Sequence, residues 1–119
     1  MGIKNLSEDI IFVELHSEGP KIAEELKAVN ERVSKNNNCD VIIDFSRIEI
    51  INSSNISNLL ILRSLLQDSG RQLILCDVTT VTKCIFVVAG LSEVFVFVDD
   101  KSIALAAVQS AKSPTSTIS

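Results

Sequence analysis

Four short apolar runs, rich in β-branched residues, recur along this chain at residues 9–15, 41–45, 72–76 and 94–98. Each is followed by a longer stretch whose apolar residues return every three or four positions. Runs of this length suit strands, and the longer spacing is the face of an amphipathic helix. Ile22, Leu26, Val29 and Val33 make the first such face. Ile56, Leu59, Leu60, Leu62, Leu65 and Leu66 make the second, Val81, Cys84, Ile85 and Val88 the third, and Ile103, Ala104, Ala107 and Val108 the last. Strands alternating with helices predict a single α/β domain with a largely parallel sheet and packed helices.

The punctuation agrees with this order. Gly19-Pro20 breaks the chain, with Pro20 placed for a first helical turn, and Asn36-Asn37-Asn38 ends the helix that follows. Ser69-Gly70 and Gly90 stop the second and third helices, where a left-handed cap favours glycine. Thr79 or Thr80 caps the third helix and Asp99 or Asp100 the fourth. Val41-Ile42-Ile43 is apolar on consecutive positions, as in a central strand covered on both faces. The expectation is four to five strands and about four helices, with residues 41–45, 72–76 and 94–98 parallel and central. Residues 1–110 form the domain, and 111–119 a flexible C-terminal tail of Ser, Thr and Pro.

Composition removes several function classes. The net charge is −4, with five Phe and neither Trp nor Tyr. An acidic chain gains nothing from counterion release and has little with which to stack bases, so a nucleic-acid partner is not expected. No apolar segment is long enough for a membrane span, and the first residues lack the apolar core of a signal peptide, which places the chain in the cytoplasm. Cys39, Cys76 and Cys84 are odd in number and widely spaced, so they are expected to be reduced and metal-free. Cys76 and Cys84 read as small buried hydrophobes.

Catalytic machinery is equally sparse. His16 is the only histidine and stands beside a strand end. The four glycines are scattered rather than gathered into a phosphate cradle, so no cofactor is expected. Asp99-Asp100 suits a helix cap, and Asp40 and Asp44 lie about 13 Å apart along an extended strand, too far to share an ion. The chain is not expected to be an enzyme. What stands out is Asn52-Ser53-Ser54-Asn55, four polar residues opening the most apolar helix. One residue is enough for a cap, so four in a row point to an exposed functional loop.

Val41-Ile42-Ile43-Asp44-Phe45-Ser46 followed by Ile51-Asn52-Ser53-Ser54-Asn55-Ile56 resembles the STAS domain of bacterial anti-sigma factor antagonists. That family carries a hydrophobic strand ending in Asp-Leu/Phe-Ser, then Asp-Ser-Ser/Thr-Gly-Leu-Gly. Residues 71–76, Ala89-Gly90-Leu91 with Phe95, and Ala104-Leu105 extend the likeness. The resemblance implies a single STAS-like domain with a mixed, mostly parallel sheet. It also implies a protein partner, a serine protein kinase that is itself an anti-sigma factor. Ser53 then holds the phosphoacceptor position, with Asn52, Ser53, Ser54, Asn55 and Ile56 forming the partner-binding loop; a homodimer is compatible with it. Asn52 stands where the family has Asp, and Asn55 and Ser57 where it has Gly. These departures favour an alternative, a STAS scaffold or accessory domain of a signalling assembly or transporter that is not phosphorylated.

Overall fold

The computed structural model describes residues 2–16, 21–36 and 38–112, apart from the side chains of residues 111 and 112. The Gly19-Pro20 break and residues 113–119 of the expected tail lie outside the described residues. Nine elements follow in chain order: β1 (Gly2–Ser7), β2 (Ile10–Glu14), α1 (Lys21–Lys35), β3 (Asp40–Asp44), α2 (Ser53–Asp68), β4 (Leu73–Cys76), α3 (Thr80–Val88), β5 (Val96–Val98) and α4 (Lys101–Lys112). The sheet order is β1-β2-β3-β4-β5, antiparallel between β1 and β2 and parallel thereafter. The expected mixed, mostly parallel sheet with four helices is therefore present.

Register decides which residues meet which helices. Ile11, Val41 and Leu73 align across the central strands, as do Val13, Ile43 and Leu75. These side chains form one core with Leu26 and Val29 of α1, Leu59, Leu62 and Leu66 of α2, and Phe86 of α3. The alternate set, Phe12, Ile42 and Ile74, points to the opposite face and packs with Ala104 and Val108 of α4. A strand side chain alternates faces with period two, so consecutive apolar residues in β3 require cover on both sides. Three crossovers step in the same direction along the sheet, and since parallel crossovers share one hand their helices fall on one face. The remaining face is left to α4, whose Lys101 ammonium lies 4.3 Å from the centroid of the Phe12 ring.

Three expectations need correction. The strand β1 was not foreseen, because only Ile3 and Leu6 are apolar in it and both are partly exposed. It is held instead by pairing to β2 and by a 2.8 Å hydrogen bond from Arg32 Nη2 of α1 to Asn5 Oδ1. The last strand is not central. Only Val96–Val98 pair, at the sheet edge, with Val96 half-exposed. Val94 and Phe95 precede the pairing, and the Phe95 ring packs edge-on against Phe86, centroids 5.3 Å apart.

The third correction concerns α3. Its buried residues are Thr82 and Phe86, whereas Val81, Cys84 and Val88 are exposed and Ile85 partly so. The helix is apolar nearly all round, so periodicity offered two faces. Phe86 wins the core because its ring contacts both Phe95 and Phe97, the latter at 5.1 Å between centroids. Cys84, expected to be buried, is accordingly a surface thiol; Cys76 is buried as expected, and Cys39 is buried as well.

Candidate functional site: the capped serine and the apolar face beside it

The site begins with the chain that leaves β3. Ile48 and Ile51 are buried and pin the connecting loop, and the Ile48 N–H donates to Phe45 O at 2.9 Å. Thr79 and Thr82 hydroxyls both donate to Glu49 O, each at 3.2 Å. One loop carbonyl thus ties the approach to α2 to the start of α3. This fixes the two helix N-termini side by side at the carboxyl edge of the sheet.

Asn52 is the N-cap of α2, with extended backbone (φ −121°). Its Oδ1 accepts the Asn55 N–H at 2.9 Å, and the Asn52 N–H donates to Asn55 Oδ1 at 2.9 Å. This reciprocal pair is a capping box, built here by asparagine at both ends. One turn on, Asn58 Nδ2 donates to Ser54 O at 3.0 Å, and Asn30 Nδ2 of α1 donates to Asn58 O at 3.2 Å. The first turn of α2 is therefore held from both sides. No acidic residue occupies it, so its free N–H groups and positive dipole end are uncompensated by charge.

Ser53 is the first residue of α2, and Asn52, Ser53 and Ser54 are exposed while Ile56 is partly so. Asn55 departs from the expected binding loop: it is 1% exposed, its side chain turned into the capping box. Its contribution is to shape the loop from beneath. Beside Ser53 lies an open apolar depression of about 510 Å³, lined by Ile56, Val81, Cys84, Ile85, Val88 and Ala89. Ser53 supplies the one hydroxyl among its lining residues. Sequence alone does not reveal this face, because the α3 stripe Val81, Cys84, Ile85 and Val88 has the periodicity of a core-facing one. The available signal is Phe86, the largest apolar side chain of α3, which lies with Thr82 on the other face of the helix.

His16 and Asp44 do not engage Ser53. His16 Nε2 lies 3.1 Å from Glu14 Oε1, a hydrogen bond that holds the Glu14 carboxyl below its usual range. Asp44 accepts from the Ser46 N–H and hydroxyl, at 2.9 and 3.0 Å. Asp44, Cys76 and Asp77 converge at the ends of β3 and β4, their ligand-type atoms all within 4.8 Å of one another. Burial, with Asp44 and Asp77 adding to it, pushes the Cys76 thiol up to about 12. It therefore stays protonated at neutral pH and offers no thiolate. Asp77, at φ 57°, also has its carboxyl raised, by desolvation first and the Asp44 charge second.

Sheet order and the gathering of three helices on one face define a class of small α/β domains with a mixed, mostly parallel sheet. The STAS-domain family model matches residues 6–104, and the chain belongs to that family. Solved structures share the fold at low identity. RsbS from Moorella thermoacetica, in a serine-to-glutamate variant, superposes with a TM-score of 0.79 at 12% identity, covering 93% of this chain and 96% of its own. The phosphorylated form of SpoIIAA, a Bacillus cell-fate determinant, gives 0.70 at 16% identity, covering 90% and 97%. A STAS-domain protein from Planctomyces limnophilus gives 0.76 at 17% identity, covering 91% and 97%. Compared by sequence with curated proteins, the chain matches none. Among the described residues, no helix is long and apolar enough to cross a membrane.

Proposed function

We propose that this chain is a protein-binding regulatory module that docks a serine-kinase anti-sigma factor and is released from it by phosphorylation of Ser53. The observation that carries this is a solvent-exposed serine at the first position of a capped helix, bordering an apolar depression left uncovered by the fold. The partner seats apolar side chains against Ile56, Val81 and Val88, while Asn52, Ser53 and Ser54 supply the polar contacts. The chain itself performs no catalysis. Its Ser53 Oγ attacks the γ-phosphorus of the partner's ATP; the bond to the bridging oxygen breaks, ADP leaves, and the hydroxyl proton passes to a base of the kinase.

Phosphorylation adds about −1.5 to −2 charge at neutral pH. The positive end of α2 accepts that charge with little strain on the fold. An apolar or acidic partner surface seated on the same rim does not, so binding is lost. The test pairs the protein with the serine-kinase anti-sigma factor of the same genome and ATP. Phosphate is expected on Ser53 by mass spectrometry. Ser53→Asp should bind at least tenfold more weakly with an unchanged circular dichroism spectrum, Ser53→Ala should bind constitutively, and Ser54→Ala should affect affinity less. An unmodified Ser53 together with full-strength binding by Ser53→Asp would refute the switch. The reading to take its place is an unregulated STAS scaffold. Asn52 favours it, since the family's acid beside the acceptor is absent, and a chain from the stressosome, described as a signal integration and transduction hub, shares the fold with a TM-score of 0.73.

A further inference from the structure

We infer a second ligand site, for a small phosphate-type oxyanion, between the C-terminal half of α2 and the beginnings of β4 and β5. It lies at the end of the sheet opposite Ser53, about 15 Å away along α2 to Arg63, and goes beyond the docking reading. A cavity of about 190 Å³ opens there, and two of the chain's four arginines, Arg63 and Arg71, line it with Gln67 and Gln72. No carboxylate is among its lining residues, although the chain as a whole is acidic.

The two guanidinium groups are held differently, and the difference carries the argument. Arg63 Nε donates to Val94 O at 2.8 Å, and Nη1 to Gln67 Oε1 at 3.3 Å. Both acceptors are neutral, so they orient the fork without cancelling its charge. Arg71 is oriented by Asp40 Oδ2 and Asp9 O, each 3.3 Å from Nη2. Its charge is offset by Asp40 and by the Asp9 carboxylate, 3.9 Å from the same Nη2, so it serves as a hydrogen-bond donor rather than as a free charge. Three of the last carbonyls of α2 are turned away from an anion by hydrogen bonds of their own. Those of Leu65, Leu66 and Gln67 are already taken by the Ser69 hydroxyl and the N–H groups of Ser69, Gly70 and Arg71.

The Arg63 fork can pair with a carboxylate or a phosphate alike, but a tetrahedral phosphate-type group has further oxygens for the second guanidinium and the two amides, which a carboxylate lacks. The cavity is roughly six times the ~30 Å³ share of a water molecule. That accommodates a phosphate-sized group, and the cavity is open to solvent on one side. The anion is therefore free, or is the terminal group of a small molecule whose remainder stays outside.

The test is a 1H–15N titration of the full chain with inorganic phosphate, and separately with glycerol 3-phosphate, against sodium chloride at matched ionic strength. Saturable shifts are expected at Arg63 Nε, Gln67 and Val94–Val96, with Arg63→Gln weakening binding at least tenfold. Tighter binding of glycerol 3-phosphate assigns the site to a phosphorylated small molecule, and equal binding to the free anion. Shifts that never saturate, that sodium chloride reproduces, or that persist in Arg63→Gln would overturn the proposal. Should Arg63→Gln perturb the spectrum broadly by losing the Val94 anchor, Arg63→Lys keeps the charge but not the fork. Affinity must then fall at least threefold, and undiminished affinity counts against the site.

Discussion

Asp77 shows how much a single position can hold in tension. It follows the central strand β4, adopts a left-handed backbone at φ 57°, and faces the Asp44 carboxylate. Its carboxyl is raised above the ordinary value of 3.8. A group whose folded pKa exceeds its unfolded one binds more protons when folded, so its contribution to stability falls as pH rises from 3.8 through the raised value. Asp77→Asn removes that loss, and Asn tolerates the left-handed conformation better than most residues. The variant should be more stable than the parent at pH 7, with the difference shrinking as pH falls toward and below 3.8. Urea melts of both proteins across that range check it. The reverse trend would mean that ionised Asp77 is a stabilising partner. Nothing in the local sequence Cys76-Asp77-Val78 announces this tension, because the opposing acid lies 33 positions earlier and arrives only through the pairing of β3 with β4.

Helix α2 starts and stops where its local sequence predicts, and its caps explain why. Asn52, Asn55, Ser69 and Gly70 are local signals acting over three or four residues, and Gly70 takes the expected left-handed turn at φ 70°. Its buried line is Leu59, Leu62 and Leu66, each at most 1% exposed, whereas Leu60 lies outside at 36%. Leu59→Ala should therefore cost about 2–5 kcal/mol, as for other buried leucines. Leu60→Ala should stay within about 0.5 kcal/mol, the range of ordinary surface changes. Chemical denaturation with matched slopes would measure both, and equal losses would contradict this packing. Helix α3 behaved otherwise. Its four-residue apolar stripe is as regular as that of α2, yet it faces outward, because the sheet offers Phe86 two aromatic neighbours and offers Val88 none.

Across the whole molecule, stability should grade from centre to edge. β3 is buried along its full length and paired on both sides, and β4 likewise. β5 is three residues long at one edge, and β1 is partly exposed at the other. Amide hydrogen exchange should be slowest in β3 and β4, opening only with global unfolding, and markedly faster in β1 and β5. Uniform protection across all five strands would count against that gradient. The order of elements, their caps and the two-sided cover of β3 could be derived from sequence, since periodicity and capping act within a few residues. So could the exposed serine loop at 52–54. Edge against centre, the outward face of α3, the inward turn of Asn55 and the meeting of Arg63 with Arg71 could not. Each depends on which distant segments compete for the same space, and an apolar side chain carries no local mark of whether a neighbour will arrive to cover it.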